Sequence, residues 1–199
     1  MSNEYLIFGM IPVSQYPTIK VSEKVIRDVL EQYNLPHSHI EIFEDLDKKA
    51  TMWVDPVKDC NRTISYNKMG YNSRYLISKS MILHEYGHIV HNMKILNSIY
   101  RGKISCNTST FLANAEYYAD TFCLDTLYKN RDFETLKIHL MQMLFYGVPK
   151  NHKDPNGYNG EHSIAATRIF RKKNFKRYKK YLDPLHIIQR QYYKPTVIC

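Results

Sequence analysis

His84 and His88 stand four residues apart with Glu85 beside the first, in the string His84-Glu85-Tyr86-Gly87-His88. On an α-helix each residue turns about 100°, so side chains four apart differ by only about 40° and share a face. Two imidazoles placed in this way can hold one zinc ion between them. Glu85 lies about 100° round, too far to be an easy third ligand, yet it can lean over the open position of the ion and take a proton from water. The chemistry this spacing predicts is hydrolysis by metal-activated water, the pattern of metallopeptidases.

The same string arises by chance on surface helices, so the flanking residues carry weight. Tyr75, Leu76, Ile77, Met81, Ile82, Leu83, Ile89, Val90, Met93 and Leu96 recur at near-helical spacing, and no proline falls between Asn72 and Arg101. This predicts a long, largely buried helix. Histidines and a glutamate within it need partners, because unpaired buried polar groups are costly.

A zinc site needs a further ligand, and His91 and Glu116 are the candidates. His91 shares the face of His84 but lies roughly 10.5 Å further along the axis. Three imidazoles along one straight helix do not easily converge at about 2.1 Å on one ion. No glycine interrupts Ile89-Val90-His91-Asn92-Met93, so His91 reads as a helix-face or supporting residue. Glu116 lies in a second helical pattern over 111–128, with Asp120 four residues on and on the same face. Like charges at that spacing repel, strongly so when buried. Zinc on Glu116, with a zinc-bound histidine donating its other ring nitrogen to Asp120, satisfies both carboxylates. The alternative is a solvated acidic face, against which stand Ala113, Ala115, Tyr117, Ala119 and Phe122.

The order His84-Glu85-x-x-His88, then Glu116-x-x-Ala119-Asp120, resembles the gluzincin zinc metallopeptidases, most closely the group containing HtpX and the CAAX prenyl proteases. His162-Ser163-Ile164-Ala165-Ala166-Thr167-Arg168-Ile169 is similar to that group's His-Pro-x-x-x-x-Arg-Ile element, with Ser163 where proline is usual. The resemblance implies one zinc per chain on His84, His88 and Glu116, Glu85 as general base, and Asp120 orienting a ligand. It also implies His162 and Arg168 near the substrate. The match covers three short motifs within residues 84–169.

The elements that must position these residues are an α+β set. Residues 21–33 read as an amphipathic helix with Ser22 as N-cap and Val25, Ile26, Val29 and Leu30 as its stripe. Residues 40–43, 51–54 and 63–66 are β-prone runs. Together they predict the small N-terminal sheet of a zincin-like domain, set over the long metal-binding helix and followed by a helical C-terminal half. The last run, with Ile64 and Tyr66, is expected at the sheet edge, where free backbone groups can pair with an extended peptide. Residues 133–146 give a further helix, with Leu136, Leu140, Met143 and Leu144 at helical spacing. Residues 154–160 form a loop by turn chemistry. This loop leads to His162 and offers Tyr158, with His162, to stabilise an oxyanion.

At 199 residues the chain suits a single domain, 1–199, with 168–199 a basic helical extension of it. A hydrophobic content of 44% supports a core and argues against wholesale disorder. No run of about 18 apolar residues is present, so no membrane span is expected, unlike the integral-membrane relatives in that group. No basic segment precedes the first apolar stretch, and Cys60, Cys106, Cys123 and Cys199 lack metal or disulfide patterning. A soluble cytoplasmic protein with free thiols is the expectation.

Arg168, Arg171, Lys172, Lys173, Lys176, Arg177, Lys179 and Lys180 supply much of the net charge of +9, with Phe170, Phe175, Tyr178 and Tyr181 interleaved. A charge run is usually a solvated face. Its functional reading is a platform at 168–181 for nucleic acid, an anionic membrane surface or an acidic partner. The leading expectation is a zinc metalloendopeptidase acting on a protein or peptide substrate. The competing one is a regulatory or nucleic-acid-associated protein that keeps a zincin fold.

Overall fold

The computed structural model describes residues 6–7, 11–12, 18–55, 67–101 and 109–147, together with 165, 169, 177, 178, 180 and 181. Ile64, Tyr66, Tyr158, His162 and Arg168 lie outside these residues, as do the expected strand at 63–66 and the loop at 154–160.

Two short pairs of strands accompany one sheet. β1 (Leu6–Ile7) pairs with β2 (Ile11–Pro12), and β3 (Ile19–Lys20) pairs antiparallel with β7 (Leu76–Ile77). The sheet is β4 (Glu41–Glu44), β6 (Lys68–Tyr71) and β5 (Met52–Trp53), in that order. β6 runs parallel to β4 and antiparallel to β5.

Helix α1 (Glu23–Gln32) starts where the Ser22 side chain accepts the Val25 backbone N–H at 3.2 Å. This satisfies one of the helix's orphan donors. It ends at Asn34, whose φ of 54° is a left-handed value that asparagine tolerates, and Leu35 N–H closes the end on Leu30 C=O. Ile26, Val29 and Leu30 face the core.

One residue ties the strands of this sheet together at one end. Asn72, buried just past β6, donates from Nδ2 to the carbonyls of Leu46 at 3.2 Å and Lys48 at 2.9 Å. Its backbone N–H reaches Thr51 C=O at 3.0 Å. These bonds tie the β4–β5 connection to the end of β6, and among the described residues β6 is the central strand with β4 and β5 at the edges. On one face Ile42, Met52, Met69 and Tyr71 are buried. On the other, Trp53 lies across Gly70, where a Cβ would stand 2.2 Å from the indole, and meets Phe43 edge-on at 5.9 Å.

Tyr75, Leu76 and Ile77 do not extend the metal helix. Leu76 and Ile77 pair with β3, and α2 (Lys79–Tyr100) begins two residues later. Near-helical spacing could not reveal this, because so short a strand is specified by its partner rather than by its own periodicity. α3 (Ser109–Lys129) and α4 (Phe133–Gly147) follow. Between them Asp132 caps α4, accepting Thr135 N–H at 3.0 Å and Thr135 Oγ1–H at 2.9 Å. Tyr33, from the end of α1, donates to the same carboxylate at 2.5 Å.

α2 is the central element, packing on α1, α3, α4, β5 and β6. Ile82, Leu83 and Ile89 of α2, Leu124 and Leu127 of α3, and Leu136 and Leu140 of α4 are fully buried with Ile26, Leu30, Met69 and Ile77. From the C-terminal part, Ala165, Ile169, Tyr178 and Tyr181 are buried. Tyr178 Oη donates to Asp125 at 2.5 Å, and the Tyr181 ring stacks on Phe133 at 4.9 Å. Among the described residues no helix is long and apolar enough to cross a membrane.

Candidate metal centre

The two histidines of α2 and the carboxylates of α3 meet inside the helical layer. Their approach depends on Gly87, because a Cβ there would come within 2.8 Å of Ala119 Cα and 3.2 Å of Phe122 Cβ. With only a hydrogen at that position, α3 can lie close enough for Glu116 to reach the imidazoles.

His84 Nε2 and His88 Nε2 are 3.1 Å apart. Glu116 Oε2 is 3.1 Å from His84 Nε2, and Oε1 is 3.5 Å from His88 Nε2. Atoms bound at about 2.0–2.2 Å to a tetrahedral ion stand about 3.3–3.6 Å apart, so these three separations are close to the edges of one tetrahedral face. Two imidazole nitrogens facing each other at this distance need something positive between them, a shared proton or a metal ion. His84 and His88 are buried, whereas the Glu116 side chain is 16% exposed, so solvent reaches the cluster from its side.

Asp120, one turn beyond Glu116, decides how His84 is used. Its Oδ1 lies 2.8 Å from His84 Nδ1. A carboxylate only accepts, so Nδ1 carries the proton and donates, and Nε2 is turned toward His88 and Glu116. Burial opposes ionisation of Asp120, but the nearby imidazoles of His139 and His84 outweigh it and hold the carboxyl well below its usual range. Burial likewise opposes a charge on His84, yet Asp120 and Glu116 overcome it and raise its proton affinity well above the ordinary value. A pocket that draws a proton in this way also favours a divalent cation. The described residues contain two groupings able to hold a metal ion: His84, His88 and Glu116, and His84, Asp120 and His139.

Glu85 is half-buried on α2, and among the described residues its carboxylate takes part in no hydrogen bond or ion pair. His91 stays outside both groupings. Its ring stacks on Tyr118 at 4.9 Å, and burial, with the charges of His88 and Lys94, pushes it down to about 4.

Two neighbours escape a reading of spacing alone. Asn92, one turn after His88 and buried, donates from Nδ2 to Asp55 C=O at 3.0 Å and fastens the chain just after edge strand β5 to the metal helix. His139 on α4 is buried with its Nε2 3.3 Å from Asp120 Oδ1. Its signal was present in the sequence: it falls among Leu136, Leu140 and Met143 on an apolar stripe, where a histidine needs a polar partner. No protein-family model, curated protein or solved structure matches the chain.

Proposed function

We propose that this chain is a zinc-dependent metallopeptidase of the gluzincin kind, with one zinc held by His84, His88 and Glu116. The observation that carries the reading is the trio of donor separations of 3.1, 3.1 and 3.5 Å, backed by Asp120 on the far nitrogen of His84. Two imidazoles and a carboxylate, with a fourth position left for water, are a catalytic rather than a structural zinc set. Zinc held there supplies Lewis-acid polarisation of a carbonyl and lowers the pKa of water toward neutrality.

The residues of the chain do the rest. Glu85 takes the proton of the attacking water and returns it to the leaving amine. Asp120 keeps His84 in the tautomer whose Nε2 is a ligand. Edge strand β5, fastened to α2 through Asn92 and Asp55, offers backbone groups to an extended peptide substrate. The buried free thiol of Cys123 fits a protein that works inside the cell. A nucleic-acid or acidic-partner tether at 168–181 has less behind it. Of its described basic residues, Arg177 is ion-paired with Asp125, and Lys180 lies over Phe133 and Tyr181.

Metal analysis of the purified chain beside two variants tests the proposal. The parent and Glu85→Gln are expected to carry one zinc per chain, with hydrolysis of an unstructured protein substrate lost only in the variant. Glu116→Ala is expected to lose the metal. Equal zinc affinity in the Glu116→Ala variant would overturn the ligand set.

A further inference from the structure

His139 is an anomaly if the helical layer is only a packed core. It is 4% exposed, on a stripe that leucine or methionine would fill, and both its ring nitrogens are buried without an aligned hydrogen bond. Its Nε2 lies 3.3 Å from Asp120 Oδ1, the oxygen that already takes His84 Nδ1 at 2.8 Å. The ring centroids of His84 and His139 are 6.1 Å apart, each ring with a nitrogen near that one oxygen. One oxygen of α3 is therefore approached by an imidazole from α2 and another from α4.

We infer that His139 is a positioning residue of the metal centre: it clamps the Asp120 carboxylate so that Asp120 in turn holds His84 in ligand orientation. The inference rests on the zinc centre proposed above. A carboxylate that meets a single donor can rotate about its Cβ–Cγ bond and carry that donor with it. A second donor from another helix removes the freedom. The His139 ring needs only to turn for its Nε2–H to point at Oδ1, and its own orientation is limited by the packing of α4 against α2 and α3. His139 needs no contact with the ion or with substrate to act in this way. Partners of this indirect kind typically change metal affinity by about 10–100-fold when removed.

The side chain that reproduces the donor at Nε2 is glutamine, whose amide nitrogen reaches as far along the chain; asparagine carries an amide of the same chemistry that falls short. Zinc affinity of the full chain, measured by chelator competition, and the visible spectrum of the cobalt-substituted protein are the readouts. His139→Asn and His139→Phe are expected to bind zinc about tenfold more weakly and to shift the cobalt spectrum, while His139→Gln stays near the parent. In an Asp120→Asn background, His139→Phe is expected to cost no further affinity, because the clamp has nothing left to hold.

Equal affinity for the Gln and Asn variants would overturn the inference. So would an equal loss from His139→Phe in both backgrounds, the mark of a merely structural role. The Gln and Asn pair keeps the test sound should the phenylalanine variant fail to fold. A parent chain that takes up no zinc would overturn the metal centre itself, and this inference with it. A loaded parent with indifferent His139 variants would overturn the inference alone.

Discussion

Gly87 on α2 faces Ala119 on α3 with no room for a side chain between them: a Cβ at Gly87 would stand 2.8 Å from Ala119 Cα and 3.0 Å from its carbonyl oxygen. Both obstacles are backbone, so they cannot rotate aside, and the helices themselves would have to part. Gly87→Ala gains up to about 1 kcal/mol of helix propensity. The clash, costing about 1–3 kcal/mol by the measure of overpacked cores, outweighs it. A lower melting temperature and weakened zinc binding are expected together, since the shift that relieves the clash carries Glu116 away from His84 and His88. A stabilised variant with unchanged metal affinity would show that α3 can yield without disturbing the site.

Asn92 separates the metal centre from the strand beside it. Asn92 is buried but Asp55 is exposed, so Asn92→Ala loses this hydrogen bond at a cost of about 0.5–1.5 kcal/mol. Zinc content is expected to hold, because Asn92 lies outside the His84, His88 and Glu116 grouping. Hydrolysis is expected to fall chiefly through a raised KM, as β5 loosens from α2. Zinc titration beside steady-state kinetics distinguishes this from a general collapse, which would strip the metal as well.

The junction of α1 with α4 predicts a response to acid. Burial works to raise the Asp132 pKa, but hydrogen bonds from Tyr33 and from Thr135 outweigh it and hold the carboxyl below its ordinary 3.8. A group depressed in the folded state stabilises it above the unfolded pKa, and that contribution fades as pH falls through the folded value. The urea midpoint of the parent should therefore drop below about pH 4 more than that of Asp132→Asn, which retains a capping side chain without the charge.

Tyr33→Phe removes one of the bonds that hold Asp132 ionised. At neutral pH it should cost about 1 kcal/mol. It should also leave a shallower acid limb than the parent. Parallel acid limbs in parent and both variants would assign the acid sensitivity to other carboxylates.

What short-range order could specify, the sequence by itself determined. The four-residue spacings of His84 with His88 and of Glu116 with Asp120, and the cap at Ser22, are relations within a turn or two of helix. Side-chain type and a period of 3.6 settle such relations before any tertiary contact exists. The helices expected over 21–33, 111–128 and 133–146 accordingly stand at Glu23–Gln32, Ser109–Lys129 and Phe133–Gly147. The short strands were another matter: β6 lies between β4 and β5, with Asn72 tying their connection to its end, and β7 took residues that spacing had assigned to the helix.

Only the tertiary structure decided that His139 should reach Asp120, that Asn92 should hold the end of β5, and that the missing side chain of Gly87 should let α3 approach. Each is a contact between separate elements, and its distance follows from how the buried leucines and isoleucines of three helices interlock. A pattern along the chain contains no measure of that distance.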